Sequence, residues 1–181
     1  MKYTVVDGHC DTPMELWLRQ ENLRSNTCQV SLERAKKLSG YVQFYAFCTV
    51  WLEQDGSFEA HYAGALEHFN RQLDENKDQI VRCKNEADAR AAIGSGKCGA
   101  FLSIEGAEAI SCDPGKLELA CAQGMRMIAP AWNAQNALTG SCMTGGGLTA
   151  QGKEFVRRAQ RLGMIPVSYT HLRAHETPEH L

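Results

Sequence analysis

The sequence has no surplus of positive charge: 19 lysines and arginines stand against 21 aspartates and glutamates, a formal net charge of −2. A chain so balanced does not neutralise a phosphate backbone, which argues against nucleic acid as a partner. It also lacks a long apolar run near its start, where Met1-Lys2-Tyr3-Thr4-Val5-Val6 meets Asp7 after a single positive charge. Neither a secretion signal nor a membrane span is written there, so a cytoplasmic protein without membrane contact is expected. None of the eight cysteines forms a C-x-x-C pair. Spread through apolar segments, they are expected as reduced thiols rather than as a disulfide framework or a thiolate zinc site. No G-x-G-x-x-G follows the first β-rich run either, which removes the phosphate-binding turn of an open dinucleotide-binding sheet. What remains is ample for folding: 44% apolar and 22% charged residues in 181 positions exclude disorder and suit one domain or a piece of a larger one.

Short β-like runs alternate with helical ones. Tyr3-Thr4-Val5-Val6 leads straight into Asp7-Gly8-His9-Cys10-Asp11, and residues 41–50 form a second, almost continuously apolar run. Phe58, Tyr62, Ala65, Leu66, Phe69 and Leu73 recur at steps of three and four, the stripe of an amphipathic helix. A helix over 85–93, a strand over 98–104, a helix over 116–122 and a strand over 125–131 follow, then a helix capped by Thr149 and stopped at Gly163, and Met164-Ile165 opens a fifth strand. Buried strands alternating with helices imply a parallel sheet, and polar residues at the strand C-terminal ends favour a (β/α)8 TIM-type barrel. Four strands and the start of a fifth make roughly its first half, so a truncated barrel over residues 1–165 is expected.

The chemistry sits at those strand ends. His9 and Asp11 alternate along an extended segment, so that an imidazole nitrogen and a carboxylate oxygen can face one ion; the alternative is an aspartate capping a turn beside a surface histidine. Glu105 leaves a buried strand at its mouth and needs a positive partner, either a metal ion or a salt bridge to Arg126 or Lys97. His61 and His68 are expected on a solvated helix face, and Gly145-Gly146-Gly147 as a flexible loop.

Taken in order, Val6-Asp7-Gly8-His9-Cys10-Asp11-Thr12-Pro13, Gly40-Tyr41-Val42-Gln43-Phe44-Tyr45, Ser103-Ile104-Glu105-Gly106, Trp132-Asn133 and Gly147-Leu148-Thr149-Ala150-Gln151-Gly152-Lys153-Glu154 resemble the landmarks of the membrane (renal) dipeptidase family of zinc metallopeptidases. The resemblance runs from about residue 3 to residue 165. It implies a barrel with two zinc ions, His9 and Asp11 as ligands from the first strand, and Glu105 as the catalytic carboxylate bridging both ions. It also implies a dipeptide substrate whose peptide bond is hydrolysed by a metal-activated hydroxide, contacts to that substrate from Trp132 and Asn133, and admits a homodimer of the parent protein. Gly106-Ala107-Glu108 stands where the family often has Gly-Gly-His, and Ala131-Trp132 where the classical branch has Thr-His. Oxyanion stabilisation is therefore expected to fall more heavily on the metals.

After Ile165 the pattern stops. Residues 166–181 hold three of the six histidines, show no apolar periodicity, place Pro166 in an expected strand, and resemble a translated sequencing-adaptor tail. His171 and His175 are accordingly not taken as ligands. With the later family ligands missing from the matched region, this chain by itself is expected to be inert and prone to self-association. Another metal-dependent amidohydrolase of the same barrel class, or a non-catalytic remnant, are the alternative readings.

Overall fold

The computed structural model describes residues 3–48, 57–141 and 143–167. In chain order these form β1 (Thr4–Cys10), α1 (Thr12–Arg19), α2 (Leu32–Ala35), β2 (Gly40–Cys48), α3 (Phe58–Glu75), β3 (Ile80–Arg82), α4 (Glu86–Gly94), β4 (Cys98–Glu105), α5 (Leu117–Ala122), β5 (Met125–Ala129), β6 (Thr139–Ser141), β7 (Gly145–Leu148), α6 (Ala150–Arg161) and β8 (Ile165–Pro166). Strands β1, β2, β4, β5 and β8 lie side by side in that order, all parallel, in a curled half-barrel of the TIM type. β3 takes the first half of the β4 edge, pairing Ile80 with Cys98, and β5 takes the second, pairing Glu105 with Ala129. β4 is thus flanked on both sides along nearly its whole length.

The two faces of this sheet divide the residues by period two. Tyr45 and Phe47 of β2 join Leu102 and Ile104 of β4 in the core beneath the helices, where Phe69 of α3 lies 4.8 Å from the Tyr45 ring and 6.0 Å from that of Phe47. On the opposite, concave face Phe44 stacks on Phe101 at 4.7 Å, and Ser103 and Glu105 continue that row towards the C-terminal mouth. Continuous apolar runs read from the sequence as β2 and β4 are therefore two alternating sets, both largely buried.

α3 forms as its stripe requires, with Tyr62, Ala65, Leu66, Phe69 and Leu73 buried. Its histidines correct the expectation of a solvated face. His68 is 6% exposed, its Nε2 donating to the Glu21 carbonyl at 3.1 Å and its Nδ1 accepting from Arg71 at 3.0 Å, and the His61 ring packs 5.6 Å from Trp17. The physical reason is α1, a helix unforeseen from the sequence, which buries Met14 and Leu16 and lays Trp17 and the following loop over that side of α3.

The glycine run is a second correction. Gly145-Gly146-Gly147 is not a loop but most of β7, antiparallel to β6 with Thr139 opposite Leu148. Gly145 and Gly146 adopt φ +68° and +87°, and a Cβ on Gly140 would lie 1.8 Å from the Gly145 carbonyl oxygen, so only glycine backbones come this close.

At α6 the expected cap is present: the Thr149 hydroxyl accepts from Gly152 N at 3.0 Å and donates to the Ala137 carbonyl at 2.8 Å. Thr149→Ala should lower stability by about 1–2 kcal/mol, read from the urea midpoint, and Thr149→Ser should recover most of it. Pro166 sits in β8 opposite Ile128, at an outer strand of the described sheet, the position where a strand tolerates a residue without an N–H; Val167 N resumes the pairing with Ile128 O at 2.9 Å. Thr49 and Val50, His171 and His175, and the rest of the expected tail from residue 168 onward lie outside the described residues.

Candidate metal centre

β1 pairs in register with β2 from Thr4 to Asp7, then slips: Asp7 faces Gln43 but Cys10 faces Tyr45, so β1 carries one extra residue. This bulge falls on Gly8-His9, where it re-aims the imidazole, and His9 N donates to Asp7 Oδ1 at 3.1 Å. Asp11 lies beyond the strand with φ −89° and ψ 8°, at the N-cap position of α1. Its carbonyl accepts from Met14 N and Glu15 N at 3.0 and 3.2 Å, while its side chain makes no capping bond. His9 and Asp11 therefore converge through a bulge and a helix start, not through simple alternation along an extended segment, and the side-chain capping alternative for Asp11 is not what forms.

Glu105 arrives from the last position of β4, followed by Gly106 at φ +92°, which turns the chain away. His9 Nε2 stands 3.2 Å from Glu105 Oε2 and 3.4 Å from Asp11 Oδ1, and ligand atoms of the three residues all lie within 4.8 Å of one another. The side chains differ in exposure: 7% for Glu105 against 42% for His9 and 49% for Asp11, so the cluster is rooted at the carboxylate and open at the histidine. Arg126 and Lys97, the alternative partners for Glu105, place their cations on main-chain carbonyls, Arg126 on Lys84, Cys121 and Met125 and Lys97 on Lys77.

Hydrogen bonds to Asp11 and then to Glu105 raise the His9 pKa to about 10, against an opposing effect of burial. The imidazole is thus held as a cation between two carboxylates when no metal is present. Since its folded pKa lies above the ordinary 6.5, the pairing stabilises the metal-free chain fully below pH 6.5 and loses that contribution as pH rises towards 10. The stability difference between wild type and His9→Asn should shrink across that window in urea titrations; a pH-independent difference would contradict the pairing. Burial pushes the neighbouring Cys10 thiol up to about 12, so it stays protonated at neutral pH. The seven described cysteines are all free thiols.

Trp132 and Asn133, the expected substrate contacts, stand half-buried on the connection that leaves β5 after Pro130. Neither lines the cavity beside the cluster. That cavity, about 170 Å³, is bounded by His9 and Glu105 with Met127, Ala129 and Val167, and by Ser103, which sequence reasoning passed over inside an apolar run. Its only signal was position, two residues before Glu105 and so on the same face.

Three comparisons bear on this arrangement. A relative from Acinetobacter calcoaceticus, described as an uncharacterized protein in the PQQ-III 3′ region, is 31% identical over 112 residues, covering 57% of this chain and 36% of its own. The solved structure of dipeptidase AC, a metallopeptidase of family M19, superposes with a TM-score of 0.76 at 22% identity over 92% of this chain and 56% of its own. A metallopeptidase from Rhodobacter sphaeroides, liganded with a phosphinate mimic of the dipeptide L-Ala-D-Ala, gives 0.73 at 22% identity over 95% and 60%. The chain thus spans between about a third and three-fifths of the length of these proteins, and at such identities the structural likeness establishes the fold. The family model for membrane dipeptidase, peptidase family M19, matches residues 1–174, running nine positions past Ile165. Matched across nearly its whole length and folded as that family's half-barrel, with its acidic and imidazole side chains gathered at the strand mouths, the chain belongs to the membrane dipeptidase family M19.

Proposed function

We propose that the parent protein is a zinc-dependent dipeptidase in which His9, Asp11 and Glu105 hold metal. The observation that carries this reading is the donor set itself: an imidazole nitrogen and two carboxylates, with ligand atoms within 4.8 Å of one another, at the C-terminal mouth of a parallel sheet. Such donors suit Zn²⁺ and comparable divalent ions, and a carboxylate as buried as Glu105 gains most from a cation beside it. Bound divalent ions would supply Lewis acidity, polarising a peptide carbonyl and acidifying water at neutral pH.

The residues do the rest. Glu105, with two carboxylate oxygens at the end of β4, would hold metal together with His9 and Asp11. Exposure of His9 and Asp11 leaves that side open to a small substrate. Trp132 and Asn133 are read as substrate contacts from the β5 connection. A dipeptide is favoured because the family is one of dipeptidases and because the Rhodobacter relative was solved with a dipeptide mimic.

The test has two arms. Equilibrium dialysis against Zn²⁺ should show uptake by wild type that His9→Ala reduces; absence of uptake would sink the metal reading. The zinc-loaded parent protein should then release free amino acids from L-Ala-D-Ala or L-Ala-L-Ala, whereas this chain alone should not. Uptake with cleavage of other amides or lactones instead would assign another amidohydrolase activity, and uptake with no hydrolysis a binding role.

A further inference from the structure

Ser103 is 3% exposed, and its Oγ has no hydrogen-bond partner among the described residues. A buried hydroxyl without a protein partner is commonly satisfied by an ordered water. Ser103 is well placed for one. The side chain belongs to the concave row of Phe101, Ser103 and Glu105, and it lines the same cavity as Glu105 and His9. The remaining walls, Gly8, Ile104, Met127, Ala129 and Val167, offer no competing polar side chain. At about 170 Å³ the space far exceeds the roughly 10–15 Å³ that one water requires.

Two residues along a strand span about 6.6 Å, too far for a direct bond from a short hydroxyl to the next carboxylate on that face and about right for two hydrogen bonds through one water. We infer that Ser103 anchors an ordered water beneath the cluster, bridging its Oγ to the Glu105 carboxylate, and so acts as a positioning residue for Glu105. The water occupies one side of the carboxylate and fixes its rotation, leaving Oε2, 3.2 Å from His9 Nε2, turned to the mouth where metal is proposed to bind. Outer partners of this kind commonly change metal affinity by about 10–100-fold when removed. This inference rests on the metal role proposed for Glu105, although the water itself does not.

A crystal structure of the metal-free protein should hold a water within hydrogen-bond distance of both Ser103 Oγ and the Glu105 carboxylate. A dry cavity overturns the inference whatever the protein does with metal. In competition with a chromophoric chelator, Ser103→Ala should weaken Zn²⁺ binding about tenfold and shift the visible absorption of the Co²⁺-loaded protein, and Ser103→Thr should restore both. Wild-type Zn²⁺ affinity and Co²⁺ spectrum in Ser103→Ala, with a higher melting temperature for its metal-free form, would mark the hydroxyl as merely unsatisfied and reject the role. Failure of wild type to bind zinc while the bridging water is present would instead overturn the metal reading and leave the water site standing.

Discussion

In the parent protein, Glu105→Gln is expected to lower the proposed dipeptide hydrolysis by about 10³-fold and to reduce the zinc bound per chain, with little change in fold. The amide keeps the shape of the side chain, so packing at this 7% exposed site is preserved while its negative charge is lost. Two proposed ions sharing one carboxylate would then repel each other without the bridge that offsets them, and transition-state stabilisation of several kcal/mol is at stake. Metal content by atomic absorption, circular dichroism and kcat on one dipeptide are the measurements. A variant that retains both zinc and turnover would remove Glu105 from the site; one that loses turnover while keeping zinc would leave it a role in the reaction but not in bridging.

The largest effect on stability is expected from Gly152→Ala. A Cβ there would sit 1.9 Å from the Leu138 carbonyl oxygen and 2.8 Å from its carbon, both main-chain atoms with no rotamer to move aside. That carbonyl is pinned, accepting from Thr149 N at 2.9 Å. α6 must therefore slide off the Leu138 segment, straining its own cap and lifting Phe155 and Ala159 from the core. A loss of about 3 kcal/mol follows, or about 6–12 °C in melting temperature. Gly147→Ala, where nothing lies within 4 Å, should melt within about 1–2 °C of wild type. If both variants melt alike, the close approach at Gly152 is not real.

How much of this was legible depends on how each signal is encoded. The α3 stripe was readable because five buried side chains repeat at helical spacing, and β2 and β4 because their apolar runs are long. α1 is short: Met14, Leu16, Trp17 and Leu18 crowd into a helix of eight residues, too few for a repeat to show, and without it the burial of His68 and the packing of His61 on Trp17 were invisible. β3, with three residues, is too short for any period to show. His9, Asp11 and Glu105 stood out as polar groups at the ends of apolar runs, which is a one-dimensional signal for a strand mouth. The bulge that turns His9 towards Glu105 has no such signal, because register is a property of two strands. Ser103 was missed for a related reason: a small hydroxyl within a buried strand becomes conspicuous only when the atoms around it are counted.

β4 is gripped by β2 on one side and by β3 and β5 in succession on the other, whereas β1 is an outer strand of the described sheet. In hydrogen exchange, amides inside such a strand open only with the whole sheet, while an outer strand frays on its own. Glu105 therefore sits on the strand that should open last, and His9 with Asp11 on and just beyond one that can open by itself. Whatever binds between them, by joining the two, should slow exchange across β1 and leave β4 as it was.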